Sequence, residues 1–313
     1  MANPAKSSAD YILPLYMNGL AGRVLRLPAP KRKKREILFI YGHHSSLERV
    51  SGVADLLNRY GSVTIPDLPG FGGMESFYKI GEKPSIDNMA DYLYSFIKLR
   101  YRNKRVTLAG TSLGFAIITR MLQKHPDTVK KIDMVCSMAG YTSKEDLVFK
   151  RRNWLFFRFI TSIFSRRLSA ALAKFLFIRG PLIRLLYFVG ERISFNAKLA
   201  TIGEKNRKER INFEIYLWKC NDLRTYMDIA VTMLTLDLSG KHVDLPVHHI
   251  AIENDHYFDN NRVEQHMRTI FSDFHAYLAK VPAHSVSIIA NAKDAEPYVP
   301  AALRRQLAKN PRS

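Results

Sequence analysis

Cysteine is almost missing from the sequence: Cys136 and Cys220 are the two in 313 residues. Both sit in apolar surroundings, which excludes a disulfide framework and predicts core thiols in a reducing compartment. Acidic residues are scarce beside basic ones, 28 Asp plus Glu against 48 Lys plus Arg, a formal net charge of +20. The N-terminal stretch Met1 to Asp10 lacks the apolar run of a secretory signal and reads as a short loose tail on a cytoplasmic protein. Zinc-ligand spacing, a phosphate-cradling glycine loop, an aromatic RNA-binding signature and internal repeats are all lacking. Their absence argues against a metal, a cofactor and a nucleic-acid partner. Two explanations are left for the charge: a generally basic proteome, or an anionic surface that the protein meets.

The chain is long enough for one large α/β domain with an insertion, or for two domains, and it can bury a full core without staples. Tyr11 to Leu27 predicts two strands about an Asn18-Gly19 turn. The basic patch Lys31 to Arg35 reads as a solvated loop. Glu36 to Tyr41 is a continuous apolar run, the pattern of a strand covered on both faces. Leu47 to Tyr60 has helical spacing, Val63 to Ile65 a short strand, Ile86 to Tyr101 an amphipathic helix. Strands at 105–109 and 131–138 follow, and this alternation predicts a parallel, doubly covered sheet. From Lys144 to Ser239 the pattern is helical and heavily apolar. Strand character resumes at Pro246 to Glu253, with a helix expected over 262–278, a last strand at 286–290 and a closing helix over 295–308.

One stretch organises the rest. Val106 to Ala109 runs into Gly110-Thr-Ser112-Leu-Gly114 and on into the helical pattern of Ile117, Ile118, Met121 and Leu122. A serine at a sharp strand-to-helix turn has strained backbone angles, and flanking glycines leave room where a Cβ would collide. The helix that follows aims its unpaired N–H groups at charge developing beside the serine.

With these residues the sequence resembles an α/β hydrolase across most of its length outside the helical stretch. Four landmarks fall in that family's order: Tyr41-Gly42, the loop Asp67-Leu-Pro-Gly-Phe-Gly72, the elbow at Ser112, and Ile252-Glu-Asn-Asp255. The resemblance implies a mostly parallel, doubly wound sheet of about eight strands formed by 1–143 and 240–313, with 144–239 inserted as a helical cap. It further implies Ser112 as nucleophile, the backbone N–H groups of His43 and Leu113 as oxyanion hole, and Asp255 as the acid. The Asp67 loop is expected to shape a turn at the mouth of the site.

The family's histidine is expected just after the last strand. With that strand at 286–290, Lys293 stands in its position, and His284 falls at the opposite end of the sheet. Serine needs a positioned base near neutral pH, and a lysine beside Asp255 and Asp294 stays protonated. The alternative bases are His43 or His44, beside the oxyanion hole, and His256. The expected activity is hydrolysis of an apolar ester or related acyl substrate, slowed, unconventional or lost for want of the histidine. The rival is a non-catalytic pseudo-hydrolase that binds a lipid or anionic ligand.

Between Lys150 and Lys198 stand eleven Lys plus Arg against one acid, Glu191, interleaved with aromatics such as Trp154, Phe156, Phe157, Phe159 and Phe175. Charges interrupt this run too often for a spanning helix. Basic amphipathic helices rich in aromatics suit an anionic membrane, so peripheral contact with an inner membrane surface is expected, against a reading in which the apolar faces pack on the core.

Overall fold

The computed structural model describes residues 7–148, 151–178, 183, 204–281, 289 and 291–309. Eight strands form one sheet in the order β1-β2-β4-β3-β5-β6-β7-β8. They are β1 Ile12–Met17, β2 Leu20–Leu27, β3 Arg35–Ile40, β4 Gly61–Pro66, β5 Val106–Thr111, β6 Ile132–Met138, β7 Val243–Ile252 and β8 Phe271–Ala279. β1 and β2 are antiparallel about Asn18 and Gly19, both with positive φ (53° and 77°), the backbone that the Asn-Gly pair favours. From β4 to β8 all pairings are parallel.

β3 and β5 are buried almost throughout, on both faces, which a parallel strand achieves only with helices on either side of the sheet. Those helices include α1 Ser51–Asn58, α2 Ile86–Arg100 and α3 Leu113–Lys124. Ser85 starts α2 by accepting a hydrogen bond from the Asn88 N–H, 3.1 Å away. Between β6 and β7 the described chain is helical: α4 Arg151–Phe164, α5 Arg167–Ala173 continued by a π-helical stretch Lys174–Ile178, α6 Glu204–Cys220 and α7 Leu223–Met233. After β7 come α8 Asn260–Ile270, a single-turn α9 Ala292–Ala295 and α10 Ala301–Ala308.

Two expectations are overturned. Arg35, expected in a solvated basic loop, begins β3 and is buried beside Asp133 at 3.4 Å. The helix expected over 262–278 ends at Ile270, and 271–279 is strand β8. Val263, Met267, Ile270, Phe274 and Leu278 keep helical spacing through the boundary, and no Gly or Pro marks it. Pairing with β7, from Val243–Phe271 to Ile252–Ala279, overrides the local pattern. The strand expected at 286–290 lies outside the described residues apart from Ile289, which is in no strand.

Candidate active site

Ser112 stands between the end of β5 and the start of α3 with φ 49° and ψ −116°, a backbone that costs an L-residue strain. Its glycine neighbours are required by space. A Cβ on Gly114 would sit 2.1 Å from the Ile40 carbonyl oxygen, and one on Gly110 would sit 2.7 Å from the Phe115 nitrogen. A Cβ on Gly42 would come 3.3 Å from the Ser112 Cβ, so the turn after β3 faces the serine directly. Among the described residues the backbone N–H groups of His43 and Leu113 have no hydrogen-bond acceptor.

Beside Ser112 lies a cavity of about 120 Å³. Its walls are mainly apolar, with Phe39, Val53, Met138, Ile250, Ile252 and Tyr298 among them, and His43, Ser45 and Arg49 supply polar groups. Val50, Val53 and Tyr298 went unnoticed in the sequence as wall residues. The amphipathic spacing of Leu47 to Tyr60 marked a buried face but not what it would face.

The histidines near Ser112 are engaged elsewhere. His43 Nε2 lies 3.0 Å from the Tyr226 carbonyl, which only accepts, so that nitrogen carries a hydrogen. Burial pushes this imidazole down to about 3, so it stays neutral at pH 7. Its ring rests on Tyr226 at 4.0 Å. His44 turns to α6, with Nε2 3.1 Å from Glu214 Oε2 and its ring 4.5 Å from Trp218. His256 is exposed, and neither His44 nor His256 lines the cavity.

Asp255 follows β7 and is half-buried; its Oδ1 accepts from the Tyr257 N–H at 2.8 Å and the Phe258 N–H at 3.3 Å. Lys293 is exposed in α9, and its N–H donates to Asn291 Oδ1 at 2.9 Å. Asn291 caps that turn so that Ala295 is buried and Lys293 points away, and the cavity is lined from this segment by Ile289 and Tyr298 instead. His284 lies outside the described residues. No group of three or more His, Cys, Asp or Glu among the described residues could hold a metal ion.

The Asp67 loop is a buried joint. Asp67 Oδ2 accepts from Arg23 Nε at 2.9 Å and Oδ1 from the Tyr41 hydroxyl at 2.9 Å. Gly72 N–H donates to Asn221 Oδ1 and Asp222 N–H to the Gly70 carbonyl, both at 2.8 Å, so the loop joins the sheet to the turn between α6 and α7.

A serine held at a strained turn between β5 and α3, in a sheet of this order, defines the α/β-hydrolase class. Within that class the chain belongs to the family described as serine aminopeptidase, S33, which it matches over residues 31–276. No curated protein matches the sequence. Among solved structures it is similar to a thermophilic esterase from Thermogutta terrifontis, at 14% identity with 95% of this chain and 98% of that one covered and a TM-score of 0.58. It is also similar to a hydrolase from Oleispira antarctica (13% identity, 92% and 94% covered, TM-score 0.63) and to the epoxide hydrolase CorEH (12% identity, 95% and 96% covered, TM-score 0.61). At such identities these likenesses concern the fold. The family makes the protein a hydrolase.

Proposed function

We propose that the protein is a serine hydrolase acting on an apolar ester or related acyl substrate, with Ser112 as nucleophile. The observation that carries this reading is the Ser112 backbone, φ 49° and ψ −116°, strained beside an apolar cavity. Strain of this kind persists where the surroundings hold a side chain in a working position. Ser112 Oγ attacks the acyl carbon and gives its proton to a base. The oxyanion is held by the His43 and Leu113 N–H groups, the leaving group departs with the proton, and water releases the acyl group by the same route.

Chain order puts forward His284 as that base, although it lies outside the described residues. The last described strand, β8, ends at Ala279, five residues before His284. Ala279 pairs with Ile252, a cavity wall, and Ile289, five residues beyond His284, is another wall. Asp255, at the end of the neighbouring strand β7, would orient it. Lys293, exposed and away from the cavity, has no part in this mechanism.

A fluorophosphonate probe tests the assignment. Wild-type protein is expected to label, Ser112→Ala not at all, His284→Ala at least about 10²-fold more slowly, and Lys293→Ala at the wild-type rate. Folded wild-type protein that stays unlabelled would instead support the non-catalytic binding protein. Slow labelling in Lys293→Ala with normal labelling in His284→Ala would return the role to the lysine.

A further inference from the structure

We propose that the outward faces of α4 and α5 form a docking surface for an anionic lipid bilayer. The inward faces are accounted for. Trp154 Nε1–H donates to the Leu234 carbonyl at 3.1 Å, and Phe164 packs with Ala170, Ala173 and Leu223. The opposite faces are where polar residues belong on a helix that simply covers a core. Instead α4 presents Leu155, Phe156 and Phe159 to solvent. α5 and its continuation present Leu168 (84% exposed), Leu172 and Phe175 (67%), spaced i, i+4, i+7 along one stripe. Of the fourteen large apolar side chains exposed among the described residues, seven fall between positions 155 and 176, which makes this a patch and not scatter.

Charge selects the occupant. Arg152, Arg158, Arg166 and Arg167 are exposed around the apolar stripe, and no Asp or Glu occurs between Asp146 and Glu191. The Arg158 guanidinium lies 5.1 Å from the Trp154 ring centroid, its stem along the helix surface. A second copy of this chain would bring cations against cations. Residues 179–203 would do the same, with Arg179, Arg184, Arg192 and Lys198 against Glu191 alone. Acidic headgroups match the arginines while the acyl boundary takes the Phe and Leu side chains, the division of labour of helices that lie in a membrane interface. No helix among the described residues is long and apolar enough to cross a membrane.

The test is co-sedimentation of the full chain with vesicles of phosphatidylcholine alone and of phosphatidylcholine mixed with phosphatidylglycerol. The expected result is binding to the mixed vesicles at low salt, at least about tenfold weaker on neutral vesicles, and lost at high salt. Arg166→Glu with Arg167→Glu, and separately Phe159→Ser with Leu168→Ser, should each weaken binding at least tenfold with unchanged melting temperature. These side chains are solvent-exposed, so folding does not depend on them. Equal recovery with both vesicle types, or none with either, overturns the proposal; so does self-association in sedimentation velocity that the Phe159 and Leu168 changes abolish. The surface does not depend on the hydrolase reading, and Ser112→Ala should bind vesicles like the wild type.

Discussion

At the residue scale the elbow has almost no latitude. The Gly114 Cα faces the Ile40 backbone so closely that even a methyl group must displace strand β3. Gly114→Ala is therefore expected to lower the unfolding free energy by about 2 kcal/mol or more, measured by urea denaturation. Gly240→Ala, where a Cβ meets nothing within 4 Å, serves as the control and should stay within about 0.5 kcal/mol of wild type. The glycines and serine of the elbow were legible in the sequence because the geometry admits so few residue types there. The exposure of Lys293, away from the cavity walls, was not legible for the opposite reason. Its position was counted from a strand that had itself been assigned by pattern, and Asn291, whose cap turns the lysine outward, gives no sign of that until the turn is built.

At the element scale, the joint between the Asp67 loop and the turn linking α6 to α7 holds the inserted helices to the sheet. Besides its two backbone contacts it includes Ser76 Oγ with Thr225 Oγ1 at 2.7 Å, the Tyr78 hydroxyl on Asp228, and the Arg224 guanidinium 3.6 Å from the centre of the Tyr78 ring. Asn221→Ala would strand the buried Gly72 N–H. The expected loss is about 1 kcal/mol, at the low end for such a group, because Asn221 Nδ2 is itself buried without a partner among the described residues and its removal offsets part of the cost. Thermal unfolding together with limited proteolysis of the 67–73 loop checks this. The sequence marked that loop only as a turn at the mouth of the site, since its partners in the turn between α6 and α7 are remote in sequence (Asn221 is 149 positions from Gly72). Most elements were legible: the hairpin, β3 to β7, α1 to α3. The exception, β8, is an edge strand whose apolar spacing copies that of the helix before it, and only its partner β7 distinguishes the two.

At the scale of the whole molecule, the partly exposed His43 and the buried His248 and His249 couple stability to pH. Burial pushes His43 down to about 3, and His248 and His249 down to about 4; the neighbouring His275 also lowers His248. In the unfolded chain each takes up a proton near pH 6.5, whereas in the folded protein it does not until the lower value. Unfolding therefore binds protons between those limits, and stability, complete above about pH 6.5, is lost as pH falls towards 4. For His249, enclosed beside Ser137 at 2.9 Å, the loss reaches about 3 kcal/mol by pH 4. Denaturation midpoints at pH 7, 5.5 and 4.5 should fall in that order, and His249→Gln should flatten the slope.

The strand order also sets a timetable. The cavity draws its walls from Phe39 through to Tyr298, with Ser112 well ahead of Ile250 and Ile252 in chain order. While the polypeptide is being made, the serine leaves the ribosome well over a hundred residues ahead of the strand that walls it in. A nascent chain thus carries an open, unroofed elbow, and a finished cleft comes into being only after Tyr298 has emerged.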